Sequence, residues 1–133
     1  MGKNEVRADR RYTKDHEWAK REGVEVLVGV SAYAVDQLGD ITLVNLDARP
    51  GESIEAGKPF GTVESVKTLA DLFAPVSGRV LRVNSVLENA PETLNDDCYG
   101  AGWLVAIEPT KPDEYDALMD AEAYTAFLAN ADH

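Results

Sequence analysis

Cysteine is almost missing from this chain. Among 133 residues only Cys98 carries a thiol, so no intramolecular disulfide can form, and a protein of a reducing compartment is the simpler expectation. Positive charge is scarce as well: 13 Lys and Arg stand against 24 Asp and Glu, for a formal charge of −11. A general nucleic-acid binder needs a cationic surface to displace phosphate counterions, which makes that class a poor fit. An acidic carrier fits the balance better, although acidity is also a common route to solubility. No apolar run approaches the ~20 residues of a membrane span. The first ten residues, with Lys3, Glu5, Arg7, Asp9 and Arg10, lack the apolar core of a secretory signal. The expectation is a cytoplasmic protein with no membrane partner. His16-Glu17 opens like a zinc-protease motif, but no second His follows four residues on, and a metal needs several convergent ligands. His16 is expected to satisfy a backbone group near the core. Cys98, beside Asp96 and Asp97, has no activating neighbour and is expected to be structural.

What the chain does have is enough apolar material for one core. Hydrophobic residues make up 44% of it, and surface scaling for this mass predicts burial of about two-thirds of the unfolded area, hence one domain. Residues 1–10 are polar and expected to be flexible. Val24, Val26, Val28 and Val30 alternate with the period of a half-buried strand. Ser31 is placed to cap a short helix through Ala34, Val35 and Leu38, and Gly39 to end it. Ile41 to Leu46 is the next β-branched run, closed by Pro50-Gly51. Phe60 to Glu64 and Leu69 to Phe73 flank Ser65-Val66-Lys67-Thr68 as a hairpin, and Trp103 to Ile107 is a late strand. Trp18 and Trp103 are expected in the core. Short strands and dense turns predict a mainly β barrel or sandwich. After Pro109, Asp113 to Met119 and a segment capped by Asp120 ahead of Tyr124, Phe127 and Leu128 predict a helical tail, 109–129, packed on the barrel, with residues 129–133 fraying.

Gly39-Asp-Ile-Thr-Leu-Val44-Asn45 aligns without gaps on Gly78-Arg-Val-Leu-Arg-Val83-Asn84. Two β-strands can agree this far by chance; taken as a repeat, the pair predicts two similar halves related by a pseudo-twofold, with Ser65 to Thr68 between them.

Of six lysines, five lie in polar or turn-rich surroundings. Lys67 lies at the hairpin tip, where a stiff base would let an enzyme recognise one lysine by shape. On spacing alone an ordinary exposed turn lysine is the simpler reading.

Glu64-Ser65-Val66-Lys67 followed by Ala74-Pro75-Val76-Ser77-Gly78 resembles the lipoyl-lysine region of the H protein of the glycine cleavage system. Arg11-Tyr12-Thr13-Lys14-Asp15-His16-Glu17-Trp18 is similar to that family's opening strand, Leu38-Gly39-Asp40 to its helix exit and Gly102-Trp103 to its last core strand. The resemblance spans about residues 11–128. It implies a barrel-sandwich hybrid core, lipoyl-domain-like, with lipoic acid amide-linked to Lys67 and with Glu64 and Gly78 helping lipoylating enzymes to recognise the site. Val66 and Thr68 flank Lys67 where a biotinyl domain would carry methionines. The implied cycle is non-catalytic for this chain: it shuttles the aminomethyl group of glycine from the pyridoxal-dependent P protein (glycine dehydrogenase) to the tetrahydrofolate-dependent T protein (aminomethyltransferase). The L protein, dihydrolipoamide dehydrogenase, then reoxidises the carrier. The resemblance further implies a cleft for the loaded arm lined by Asp15, Glu17 and Asp71, where carboxylates would hold a cation. Asp15 departs from the Ser frequent in the family, and solvated surface acids are the competing reading for all three. A monomer is expected. The rival functions are an H-like carrier serving lipoyl transfer or redox roles, an unmodified β-barrel adaptor, and a hydrolase using His16, Glu17 or Cys98.

Overall fold

The structure is a computed structural model and describes residues 5–131; the expectations for residues 1–4 and 132–133 lie outside the described residues. Among the described residues nine strands form two antiparallel sheets. The strands are β1 (Arg11–Tyr12), β2 (Glu17–Glu22), β3 (Glu25–Val30), β4 (Ile41–Leu46), β5 (Ser53–Ile54), β6 (Pro59–Ser65), β7 (Leu69–Phe73), β8 (Gly78–Val83) and β9 (Val105–Pro109). Six are ordered β1-β2-β3-β9-β8-β5, and the other three β4-β6-β7. Buried side chains from both sheets, among them Val26, Val28, Ile107, Val44, Phe60 and Leu72, form one continuous core.

Strand alternation sets which faces meet. In the three-stranded sheet Val44, Val63 and Ala70 lie in register and point inward, while the neighbouring row Leu43, Glu64 and Leu69 points outward. Such a row cannot slip by one residue without exchanging core for solvent. The aligned repeat has a structural counterpart: the register of β4 on β6 shifts between Ile41 and Leu43, and that of β8 on β9 between Val80 and Arg82, which are the aligned positions. A β-bulge thus bends both sheets at the same point of the repeat.

The first helix follows its sequence signals. Ser31 Oγ accepts from Ala34 N–H at 3.3 Å, α1 runs Ala32–Leu38, and Gly39 ends it at φ 79°. Asp120 likewise caps α5 (Ala121–Ala131), its Oδ1 accepting from Ala123 N–H at 2.8 Å.

Elsewhere the structure differs from the sequence reading. Val24 is 82% exposed, in the turn that joins β2 to β3, so that strand starts one residue later. The segment from Arg11 to Trp18 is two strands broken at His16, whose φ is 72°. The helix expected over Asp113 to Met119 is the shorter α4 (Pro112–Asp116), and the late strand starts at Val105. Two four-residue helices, α2 (Val86–Asn89) and α3 (Thr93–Asp96), were not anticipated. Trp18 is fully buried, but Trp103 is only half-buried. Arg10, placed in a flexible lead by its polarity, is buried: its guanidinium lies 4.5 Å from the Trp18 ring centroid and donates to the Tyr99 carbonyl at 2.9 Å. Where fraying was expected, α5 continues through Ala131. Among the described residues no helix is long and apolar enough to cross a membrane.

Candidate functional site: a lysine-bearing hairpin beside a cleft

Lys67 lies in the three-residue connection between β6 and β7, and it is exposed. Ser65 builds the turn. Its N–H donates to the Thr68 carbonyl at 2.8 Å, and its Oγ accepts from the N–H groups of Lys67 and Thr68, each at 3.2 Å. A serine opening a turn in this way lets its side chain replace a missing backbone partner. The tip is also tied to the rest of the molecule, because Val66 N–H donates to the Asp40 carbonyl at 3.0 Å, just past the exit of α1.

The lysine side chain lies across Gly39. A Cβ built on Gly39 would stand 3.3 Å from Lys67 Cε, so the glycine serves both its positive φ and the passage of the lysine stem. Leu38, one residue earlier, lines a cleft of about 340 Å³. One wall of the cleft is α1, through Tyr33, Ala34 and Gln37, and the other is β7, through Ala70 and Asp71.

Asp15, Glu17 and Asp71, the expected lining acids, all border this one cleft, but they are not equivalent. Asp15 and Asp71 are exposed, and by strand register Asp71 shares the outward face with Thr62 and Asn45. Glu17 is 2% exposed and is no solvated surface acid. Its Oε1 accepts from Thr13 Oγ1 at 2.8 Å and its Oε2 from Phe73 N–H at 3.4 Å. Burial dominates over these donors and pushes its pKa up to about 8. Near neutral pH the Glu17 carboxyl is therefore mainly protonated.

Thr13 and Tyr124 complete the site, and sequence reasoning passed over both. Thr13 Oγ1 accepts from the N–H groups of Asp15 (3.1 Å) and Glu17 (3.2 Å) while donating to the Glu17 carboxyl, which fixes the tight loop that aims Glu17. His16, next in that loop, does not satisfy a backbone group through its ring as expected. Its Nδ1 hydrogen-bonds the Tyr124 hydroxyl at 2.8 Å, and that hydroxyl meets Ser31 Oγ at 2.7 Å. Its ring centroid lies 4.7 Å from that of Tyr33, and burial pulls its pKa down, so the imidazole is an aromatic, mainly neutral wall of the cleft.

Glu64 and Gly78 are not brought together. Glu64 is exposed on β6, three residues before Lys67, whereas Gly78 is buried in the other sheet, paired with Ile54 and Pro109. A Cβ on Gly78 would overlap the Glu108 carbonyl oxygen and Ile107 Cγ2, so close packing already demands a glycine there. The hydrolase reading finds no nucleophile at Cys98, which is buried, its thiol pKa pushed up to about 12 mainly by that burial.

Comparison with known proteins agrees with this geometry. The family model described as glycine cleavage H-protein matches residues 10–131. The glycine cleavage system H protein of Anaeromyxobacter sp. (strain K) is 48% identical over 93% of this chain and 96% of its own. That of Myxococcus xanthus is 46% identical over 95% and 97%. The crystal structure of a glycine cleavage system H protein from Mycobacterium marinum superposes with a TM-score of 0.85 at 39% identity, covering 93% of this chain and 99% of that one. A lysine carried on a braced hairpin, an adjoining cleft with a buried acid, and relatives matched nearly end to end lead to one assignment: the chain belongs to the glycine cleavage H-protein family.

Proposed function

We propose that this protein is the cytoplasmic lipoyl carrier of a glycine cleavage system, a single carrier domain with lipoic acid amide-linked to Lys67. The observation that carries the reading is the position of Lys67, exposed on a braced turn with its stem over Gly39, next in sequence to the cleft-lining Leu38. The residues fit the group: the tip is open, and the cleft offers mostly apolar walls with Glu17 at hydrogen-bonding depth. When bound, lipoic acid supplies a dithiolane able to take up electrons and a one-carbon amine fragment together.

The chain's own residues perform the remainder. Ser65 and the Val66–Asp40 hydrogen bond hold the lysine backbone still, and Gly39 leaves space for its stem. Tyr33, Leu38 and Ala70 keep water from the cleft wall. A neutral amine entering there takes up the Glu17 proton and becomes the cation, and the resulting carboxylate holds it by a charge-assisted hydrogen bond, with Thr13 Oγ1 and Phe73 N–H supporting the anion. Exposed Asp15 and Asp71 add negative potential at the rim. Lipoylating enzymes and the P, T and L proteins are the partners in this reading; none of their chemistry is supplied by the carrier.

The test is intact mass and peptide mapping of protein made in a lipoylation-competent host. A gain of one lipoyl group on Lys67, absent from Lys67→Arg, followed by P-protein-dependent exchange of bicarbonate with glycine, is expected. No gain while a control domain is modified overturns the proposal, and modification without exchange turns it towards an H-like carrier of another system.

A further inference from the structure

One side chain, remote in sequence, grips the segment against which the lysine-bearing tip is braced. Asn95 is half-buried on α3, next to Leu94, which is fully buried in the core. Its Oδ1 accepts from Ile41 N–H at 2.9 Å, and its Nδ2 donates to the Gly39 carbonyl at 2.9 Å. Lys67 uses the same segment: its stem lies over Gly39, and the Asp40 carbonyl accepts from Val66 N–H at 3.0 Å. The Asp40 carbonyl and the Ile41 N–H belong to one peptide group. A trans peptide is planar and its two polar groups point opposite ways, so fixing the N–H on Asn95 aims the carbonyl at Val66. Donation on one side of the group and acceptance on the other also polarise each other. An amide meets both demands of the site; a carboxylate has no proton for the Gly39 carbonyl, and an aliphatic side chain of the same shape has neither group.

Ending the helix does not account for this grip. Gly39 N–H donates to the Val35 carbonyl at 3.0 Å, so α1 is closed without Asn95. Nor does the turn orient itself: the Ser65 hydrogen bonds run between residues 65 and 68, and they shape the tip without fixing it on the body. We propose that Asn95 is the positioning residue for Lys67. By clamping the peptide groups on either side of Asp40 it holds both the floor under the lysine stem and the anchor of the tip, and so presents the lysine in one orientation for acylation. The proposal rests on the lipoyl-carrier reading and adds to it a residue 56 positions from Gly39, on a helix that supplies nothing to the hairpin or to the cleft lining.

The experiment compares full-length wild type, Asn95→Leu and Asn95→Asp in two measurements. The first is amide hydrogen exchange of the apo-protein, followed residue by residue by NMR. In Asn95→Leu the Val66 amide is expected to exchange about tenfold faster relative to those of Ala74 and Leu104, the scale of one net hydrogen bond. Those two reference amides donate to the Lys58 and Val28 carbonyls, away from the tip, and report any general loosening. The second is steady-state lipoylation by a purified lipoate ligase at saturating lipoic acid and ATP, read by intact mass, where kcat/KM for the apo-protein falls by a similar factor and Lys67 stays the modified residue. Asn95→Asp keeps the acceptor for Ile41 and gives smaller changes of the same sign in both; it carries the comparison alone if Asn95→Leu does not fold. Acceleration at Val66 no greater than at Ala74 and Leu104 makes Asn95 a general stabiliser and overturns the positioning role. Selective acceleration with wild-type kcat/KM overturns it too, and either result leaves the carrier assignment intact. A wild-type protein that the ligase does not modify at Lys67, while it modifies a control domain, overturns both.

Discussion

At Glu17 a single buried carboxyl joins stability to pH. Burial pushes its pKa up to about 8 in the folded protein, against ~4.3 for an unfolded glutamate. Between those values the unfolded chain has given up a proton that the folded chain keeps. The contribution of this group is therefore full below the lower value and declines as pH rises towards the folded pKa, at about 1.4 kcal/mol per pH unit. Urea unfolding of the wild type and Glu17→Gln, compared at about pH 5 and about pH 8, should show the variant gaining on the wild type at the higher pH. Parallel profiles would mean that Glu17 is ionised throughout. Gly78 offers a second test at this scale. The space that a Cβ would need is taken by Glu108 and Ile107 of β9, so Gly78→Ala should cost about 1–3 kcal/mol of unfolding free energy. Unchanged stability with impaired lipoylation would instead assign the glycine wholly to recognition.

At the scale of elements, Tyr124 ties α5 to the cleft through its hydroxyl. Tyr124 is fully buried, stacks on Tyr12 with centroids 4.3 Å apart, and bonds both His16 of the loop before β2 and Ser31 at the start of α1. Tyr124→Phe keeps the stacking ring but deprives both partners, a loss expected to cost about 1–3 kcal/mol. Denaturant midpoints check this, and a shift in the titration of the His16 signal would show the loop responding. Such a link was not legible in the sequence, because it depends on three segments meeting through one hydroxyl. Other elements were legible to the degree that their pattern was local. Val26, Val28 and Val30 announce β3, and Ser31 with Gly39 bounds α1 almost to the residue. In β2 only Trp18 and Ala19 are apolar before Lys20, Arg21 and Glu22 run out into an exposed hairpin, so periodicity gave no strand. The helices α2 and α3, four residues each, are shorter than the pattern that would reveal them. The site divides in the same way. Lys67 stood out by its place between two strands, while the cleft acids came only through family resemblance, since Glu17 and its donor Phe73 are 56 residues apart. Nothing local could tell buried Glu17 from exposed Asp15, two residues away.

For the whole molecule, charge and architecture act together. A surface carrying −11 discourages self-association and favours encounter with basic enzyme faces. The second-order rate of lipoylation, measured well below KM, should fall about tenfold as NaCl is raised from about 0.05 to about 0.5 M. A flat response would show that steering by net charge is unimportant. The two sheets meanwhile share a bend at aligned bulges and one core, which gives the β6–β7 tip a rigid base.

The placement of the Lys67 stem over Gly39, beside the cleft mouth, makes cleft and cargo parts of one tethered pair. A short flexible tether presents its end at an effective concentration of about a millimolar. A cleft with only millimolar intrinsic affinity would thus be occupied about half the time. Tight binding would be a handicap, since each enzyme in turn must draw the same group out again. Under the proposed function, a half-open cleft with a single buried acid is suited to a sheltering site that competes with solvent through proximity and yields to a partner through weakness.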